Sequence, residues 1–213
     1  MNKRWEILPI DEKKQILLEK NLHISSSLAE ILTRKNLDEN SAKLFLNPTK
    51  IPYHDPFLLK DMEKACQRLL LALKNKEKIC IYGDYDVDGV SSTALLMTVF
   101  TKLGFNIDYY LPDRHSEGYG LHIESLQKLI PKYDLLITVD CGITALDEVD
   151  YTKDKIDMII TDHHLPREIL PDAFAIINPT QTQCNYPNKN LCGVGVAFKL
   201  CQGLYQSLNK DIH

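Results

Sequence analysis

Short apolar runs alternate with amphipathic stretches after Lys78, and this rhythm constrains the fold more than any other feature of the sequence. The runs are rich in Ile, Val and Tyr, as strands buried on both faces of a sheet are. Strands separated by helices indicate βαβ units with parallel strands. Predicted strands lie at 79–82, 107–111, 135–139, 158–161 and 173–177, and predicted helices at 91–103, 122–130, 144–151 and 195–206. We therefore predict a Rossmann-like α/β domain over residues 78–213, with a parallel sheet covered by helices on both faces.

The segment before this domain has helical periodicity instead. Apolar residues recur at helical spacing in three segments, which are 27–32 (with Ser27 as N-cap), 38–46 and 60–75. The last of these carries the clearest apolar stripe. Prolines between the second and third segments predict an extended connector, at Pro48, Pro52 and Pro56. We predict that residues 1–77 form a helical scaffold that precedes the α/β domain.

Composition limits the class of protein. With 44% hydrophobic and 25% charged residues, the chain matches ordinary globular proteins and not fibrous or wholly disordered ones. The longest apolar stretch without charge, around 90–100, is shorter than the roughly 20 residues of a bilayer span. The N-terminus is charged throughout and lacks the apolar core of a signal peptide, so we expect a cytoplasmic protein. The six cysteines form no C-x-x-C pair, and we expect buried thiols.

Charge is divided unevenly along the chain. Residues 1–78 hold 15 Lys and Arg against 11 Asp and Glu, whereas residues 79–213 hold 10 against 18. An acidic domain does not suit a protein that grips nucleic-acid phosphates by charge alone, because such proteins present a basic face. It does suit a domain whose carboxylates are neutralised by bound cations.

Polar clusters follow four of the predicted strands. A single Asp after a strand is usually a turn or a helix cap. Four clusters are harder to dismiss, because the carboxyl ends of the strands in an open parallel sheet form the edge that carries the working site. The clusters are GDYDVDG (83–89), PDR (112–114), VDCG (139–142) and TDHH (161–164).

The acidic residues of these clusters predict a metal centre. Asp86 and Asp88 are two residues apart, so in an extended loop both can point the same way. Together with Asp140 and His163 they offer hard oxygen and imidazole ligands, which suit Mn²⁺ or Mg²⁺. Asp140 could bridge two ions about 3.5 to 4 Å apart, the spacing used in phosphoryl hydrolysis. The D-x-D-x-D-G pattern also opens an EF-hand, but the twelfth position is Leu95, where that motif requires Glu.

Two further segments are candidates for binding a substrate phosphate. Ser91 and Ser92 lie at the start of the first crossover helix, where free N–H groups and hydroxyls can hold a phosphate. Ordinary helix capping is an equal alternative there. Arg114 with His115 could place a guanidinium on a phosphodiester, with a surface salt bridge as the competing interpretation. The sequence at 193–195 (GVG) predicts a turn before the last helix, with contact to a phosphate as the less favoured alternative.

Taken in order, these motifs resemble those of the DHH phosphoesterase superfamily and, within it, of the bacterial exonucleases specific for single-stranded DNA. The segments GDYDVDGVSS, LPDRHSEGYG, TVDCGI and TDHHLP are followed by NP and LCGVGVAFKL. Upstream, the resemblance continues through AEILTRKNLDENSAKLFLNP and HDPFLLKDMEKACQRLL, so it covers nearly the whole chain. Tyr82 and Gly83 stand where the oligoribonuclease and pyrophosphatase branches carry a motif with His.

The resemblance implies hydrolysis of single-stranded DNA from 5′ to 3′, to 5′-mononucleotides, in recombination and repair. Mn²⁺ or Mg²⁺ would be the cofactor, and repair proteins such as a helicase or a single-strand-binding protein would be partners. The metal ligands that it implies are Asp86, Asp88, Asp140 and His163. The catalytic residues that it adds are His164, as a second imidazole at the metal or the scissile phosphate, and Asp84 and Asp162, which would orient the ligands.

The resemblance further implies that full-length relatives among these exonucleases continue with a further metal-binding Asp in a G-T-x-A-D type segment, a second domain with a glycine-rich motif and an OB-type fold. These features do not occur in the 213 residues. We therefore expect an N-terminal fragment that binds metal weakly and has little activity alone. Two alternatives remain open, namely a DHH phosphodiesterase of short oligoribonucleotides or cyclic dinucleotides and a catalytically inactive partner-binding module.

Overall fold

The structure, a computed structural model, describes residues 6, 9–50 and 53–210 and divides the chain into two compact units, Met1–Tyr53 and His54–His213. The first unit is helical, with α1 at Glu12–Leu22, α2 at Ser26–Arg34 and α3 at Glu39–Leu46. Each helix begins after a side-chain cap, provided by Asp11, Ser25 and Asp38 respectively. Four buried side chains form the core of this unit, Leu18, Ala29, Leu32 and Ala42.

Three details of the first 60 residues differ from the prediction. Helix α1 was not predicted, because few of its apolar residues are buried and it carries only a weak stripe. Helix α2 is capped by Ser25 and not by Ser27. The predicted connector is not extended at Pro48 and Pro56, each of which begins a short 3₁₀ turn, while Pro52 lies outside the described residues.

The second unit confirms the predicted α/β fold. Five parallel strands form one sheet in the order β2-β1-β3-β4-β5. The strands are β1 at Lys78–Tyr82, β2 at Asn106–Tyr110, β3 at Leu135–Val139, β4 at Asp157–Thr161 and β5 at Ala175–Ile177. The helices are α4 at Met62–Asn75, α5 at Val87–Leu103, α6 at Ile123–Leu129, α7 at Leu146–Thr152 and α8 at Gly193–Ser207.

Each face of the sheet has its own apolar core. Alternate residues of β3 show the division, since Ile137 packs into the cluster of α4, α5 and α8, while Leu136 packs into the cluster of α6 and α7. Every residue of β3 is buried, as the continuous apolar run predicts for a central parallel strand. No helix among the described residues has both the length and the apolar character needed to cross a membrane.

Helix α4 belongs to the sheet-containing unit. Its predicted stripe is buried, and Met62, Ala65 and Leu69 lie in the same cluster as residues of β1 and β3. The compact unit therefore begins at His54, before the domain boundary predicted at residue 78. The sequence predicts the apolar stripe of α4 but does not predict that the stripe packs in the same core as the sheet.

Five of the six cysteines are buried, as expected. Cys192 is the exception, because it is the N-cap residue of α8 and its thiol is exposed. Cys141 is buried in the cluster beneath α6 and α7, and burial raises the pKa of its thiol. The structure therefore places Cys141 in the core, although its neighbours in sequence carry the polar clusters.

Candidate metal centre

The candidate centre lies at the carboxyl ends of β1, β3 and β4. Hydrogen bonds of the sheet continue one residue past the strands, since the N–H of Asp140 donates to Thr161 O (3.0 Å) and the N–H of Asp162 donates to Ile177 O (3.1 Å). The backbone on which these two acids stand is therefore fixed by the sheet. Its position agrees with the rule that open parallel sheets carry their sites at this edge.

Two sets of three side chains bring possible ligand atoms within 4.8 Å of one another. The first set is Asp84, Asp86 and Asp140, and the second is Asp140, His163 and His164. Asp140 belongs to both, in keeping with the bridging role predicted for it. Asp84, predicted to orient the ligands, and His164, predicted at the metal or the scissile phosphate, each contribute an atom to one of the two sets.

Asp140 has the environment expected of a cation ligand. The residue is 2% exposed, and its Oδ1 accepts no hydrogen bond although it lies 3.1 Å from Nε2 of His163. Burial, helped by the charges of Asp88 and Asp86, raises the pKa of Asp140 to about 7. A buried carboxylate without donors is costly unless a cation compensates it.

Asp84, in the loop after the neighbouring strand β1, has a similar environment. It is 1% exposed, its Oδ1 has no hydrogen-bond partner, and burial followed by the nearby charge of Asp86 raises its pKa. Buried polar atoms in folded proteins are almost always paired, so two orphaned oxygens at one edge require an explanation. Carboxylate oxygens and imidazole nitrogens converge here, and two of the oxygens lack hydrogen-bond partners. Such a group of ligand atoms fits a hard divalent cation such as Mn²⁺ or Mg²⁺.

Asp162 belongs to neither set and anchors the DHH segment, residues 162–164, by hydrogen bonds. Its Oδ1 accepts the N–H groups of His163 (2.7 Å) and His164 (3.1 Å), and its Oδ2 accepts the N–H of Ile143 (3.0 Å). Burial raises the pKa of Asp162, but the hydrogen bonds from His164 and Ile143 outweigh it, so the net pKa is lowered. The hydrogen bond to Asp162 in turn raises the pKa of His164.

The loop after β1 becomes helical earlier than predicted. Asp86 is the N-cap of α5, and its Oδ1 accepts the N–H groups of Asp88 (2.9 Å) and Gly89 (3.0 Å). Asp88 therefore lies in the first helical turn and not in an extended loop. Gly89 is required at this position, because a Cβ would lie 2.5 Å from the carbonyl oxygen of Asp84.

Asp88 points toward α8. Its two carboxylate oxygens accept the N–H groups of Gly193 (2.6 Å) and Val194 (2.7 Å), and its Oδ2 lies 3.6 Å from Nε2 of His163. The segment predicted as a turn is the first turn of α8. Asp88 is absent from both sets of converging ligand atoms, so its role as a ligand stays a prediction.

The serines predicted to bind phosphate do not form a cradle. Ser92 is buried, and its hydroxyl donates to Asp88 O (2.6 Å), one turn earlier in α5. Ser91 is exposed on the helix. Because α5 begins at Val87, both serines lie beyond its first N–H groups, and Asp86 already binds two of those. Neither serine caps the helix, since its N-cap is Asp86, and phosphate binding by Ser91 and Ser92 stays a prediction.

Arg114 and His115 are both exposed. The guanidinium of Arg114 lies 5.5 Å from the ring centre of Tyr85, which stands between Asp84 and Asp86 in the chain. Arg114 has no ion pair in the part of the chain that the structure describes, so the salt-bridge alternative is not observed. Its cation is available beside the acidic loop.

Sequence reasoning missed Tyr119. Its hydroxyl lies 3.3 Å from Asp140 O and 3.3 Å from Nδ1 of His164, and burial raises the pKa of the phenol. The signal was the G-Y-G segment, in which Gly118 and Gly120 both have positive φ, of 83° and 90°. Tyr119 lies in the loop after β2, and this turn brings its hydroxyl next to His164.

Comparisons with known proteins agree with this geometry. The family model described as "DHH family, N-terminal domain" matches residues 78–213. The chain is 43% identical over 212 residues to the single-stranded-DNA-specific exonuclease RecJ of Bacillus subtilis, covering 98% of this chain and 27% of that protein. It is 44% identical over 173 residues to RecJ of Haemophilus influenzae, covering 80% of this chain and 28% of that protein. The chain thus spans about a quarter of the length of these curated relatives.

Solved structures give the same result. An exonuclease RecJ bound to manganese matches 75% of this chain and 41% of its own, with a TM-score of 0.69 and 34% identity. RecJ of Thermus thermophilus in complex with Mn²⁺ matches 98% of this chain and 29% of its own, with a TM-score of 0.73 and 26% identity. The sheet and the helical segment before it are therefore both similar to those of RecJ structures.

Proposed function

The chain belongs to the DHH family, and from that premise we propose that it carries the metal centre of an exonuclease that hydrolyses single-stranded DNA. The reaction proceeds from 5′ to 3′ and releases 5′-mononucleotides. The observation that supports it most is the 43% identity to Bacillus subtilis RecJ over 98% of the chain, together with converging Asp and His side chains at one sheet edge.

We propose Mn²⁺ or Mg²⁺ as the cofactor of this centre. The residues that would hold it are the two converging sets, Asp84, Asp86, Asp140, His163 and His164. Support comes from the unpaired buried oxygens of Asp84 and Asp140 and from the manganese named for the two RecJ structures that the chain resembles. Asp88 remains a further proposed ligand, since its Oδ2 faces His163 at 3.6 Å.

When bound, divalent cations in such a centre polarise a phosphodiester and lower the pKa of an attacking water. The chain itself supplies orientation. Oδ1 of Asp162 lies 2.7 Å from Nδ1 of His164 and so fixes the orientation of the ring. The other ring nitrogen, Nε2, is left as the one that can bind the metal or the substrate. Arg114, with Tyr85 beneath it, is proposed to bind a phosphate of the strand because its cation lies beside the acidic loop.

We further propose that the protein acts in the cytoplasm, in DNA recombination and repair. Its partners would be single-stranded DNA and proteins such as a helicase or a single-strand-binding protein. The support is the similarity to RecJ.

The test is release of mononucleotides from a long single strand and from a dinucleotide by the full protein, with Mn²⁺ or with chelator. We expect Mn²⁺-dependent release from the long strand and loss of release in Asp140→Ala. The matched control is Asp172→Ala, which removes an exposed carboxylate paired with Lys153. Retained activity in Asp140→Ala contradicts the proposed centre, and a preference for the dinucleotide contradicts the proposed substrate.

A further inference from the structure

The N-terminus of α8 is capped by an acidic side chain from a distant part of the chain. Cys192, at the N-cap position of α8, makes no side-chain hydrogen bond to the helix. The N–H groups of Gly193 and Val194 donate instead to the two carboxylate oxygens of Asp88, which is 105 residues from Gly193 in sequence. Two short hydrogen bonds to one ionised carboxylate fix its position and rotation, since charge-assisted bonds are the stronger kind.

The same glycine also borders the shared acid of the candidate centre. A Cβ at Gly193 would lie 2.6 Å from Oδ1 of Asp140 and 2.9 Å from Cβ of Asp140. Real Cβ atoms essentially never approach another atom this closely, so a side chain at this position requires Asp140 or α8 to shift. Oδ1 of Asp140 is the buried oxygen without a hydrogen-bond partner. Gly193 therefore contacts both acids: its N–H group donates to Asp88, and its lack of a side chain leaves space for the carboxylate of Asp140.

We infer that Gly193 is a positioning residue of the metal centre, acting through Asp88 and Asp140; this inference rests on the proposed function. Its N–H group sets the position of the Asp88 carboxylate, and its missing side chain lets Asp140 reach the converging ligand atoms. Groups that orient metal ligands in this way typically change metal affinity by about 10 to 100-fold when they are removed.

The chain offers a matched control in the same helical turn. Gly195 is two residues further along α8, and a Cβ there would meet its nearest neighbour, a side-chain atom of Leu191, at 3.4 Å, at the limit of ordinary contact. A Gly→Ala change gains a similar helix propensity at both positions. The two variants therefore differ mainly in the contact with Asp140.

The experiment is calorimetric titration of Mn²⁺ alone into the 213-residue chain, Gly193→Ala and Gly195→Ala, with melting temperatures measured in chelator. We expect Gly193→Ala to weaken Mn²⁺ binding at least about tenfold and Gly195→Ala to change it by less than about threefold. Equal affinity in Gly193→Ala and the unsubstituted chain overturns the inference and leaves the proposed function standing. Lack of Mn²⁺ binding by the unsubstituted chain overturns both.

A second variant covers the case in which Gly193→Ala does not fold in chelator. Asp88→Asn keeps the shape of the side chain but places an NH₂ group against one of the two N–H donors of α8. We expect the same loss of Mn²⁺ affinity in Asp88→Asn, and unchanged affinity in that variant overturns the inference.

Discussion

Oδ1 of Asp162 lies 2.7 Å from Nδ1 of His164. The same oxygen accepts the N–H groups of His163 and His164, so one buried atom fixes both the backbone and a ring of the DHH segment. Asp162 itself is 1% exposed and is held by the N–H of Ile143. An acid placed behind a histidine in this way sets the tautomer and direction of the imidazole.

Replacing Asp162 by Asn should therefore weaken the centre without removing a member of either ligand set. We expect Mn²⁺ affinity to fall by about 10 to 100-fold, because the neutral amide no longer holds the His164 ring in one protonation state. Calorimetric titration measures this. Asp172→Asn, an exposed control, should leave the affinity unchanged, and equal affinities in the two variants would contradict the orienting role.

Leu69→Ala tests whether α4 belongs to the sheet-containing unit. Leu69 is fully buried between α4 and the sheet, so its truncation should lower the free energy of unfolding by about 2 to 5 kcal/mol. Leu71 lies on the same helix and is 48% exposed, so Leu71→Ala should cost well under about 1 kcal/mol. Urea unfolding followed by circular dichroism gives both values. Similar costs would place α4 outside that core.

Gly89→Ala tests the close approach of α5 to the loop after β1. Because the added Cβ would lie 2.5 Å from the carbonyl oxygen of Asp84, the loop or the helix must move. We expect a loss of about 1 to 3 kcal/mol in the free energy of unfolding. Val90→Ala, at the exposed next position, should change it by less than about 0.5 kcal/mol. A Gly89→Ala chain as stable as Val90→Ala would show that this contact is not required.

Glu117 predicts a pH dependence of stability away from the centre. Hydrogen bonds from Ser125 and Tyr110 lower the pKa of Glu117 below its ordinary value of 4.5. A lowered pKa in the folded state contributes stability that is present above about pH 4.5 and is lost as the pH falls through the folded-state pKa. Urea unfolding across this range should therefore show a steeper acid loss for the unsubstituted chain than for Glu117→Gln. Parallel curves would exclude this contribution.

The sheet was predictable because its signals are local. The apolar run at 135–139 coincides with β3, since a strand buried on both faces must be apolar at every position. The convergence of Asp140 with the DHH segment followed from topology, because parallel strands end at one edge. The start of α5 differs from the prediction, because Asp86, which the sequence predicts as a metal ligand, is the N-cap of this helix.

Contacts between segments that are distant in the chain could not be predicted from the sequence. The stripe on α4 indicates a buried face but does not name the sheet as its partner. The bond from Gly193 to Asp88 joins residues 105 apart, and no periodicity encodes such a contact. Tyr119 contacts His164 from a loop in which the two flanking glycines have positive φ. The presence of glycines in the sequence does not specify the direction of that turn.

The most direct test of the metal centre is the melting temperature of the chain in chelator and in excess Mn²⁺. A cation that binds only the folded state raises the melting temperature. We predict a clear rise for the unsubstituted chain and for Asp172→Ala, and no rise for Asp140→Ala, because Asp140 belongs to both sets of converging ligand atoms. An equal rise in Asp140→Ala, or no rise in the unsubstituted chain, would contradict the assignment of a metal centre to this edge of the sheet.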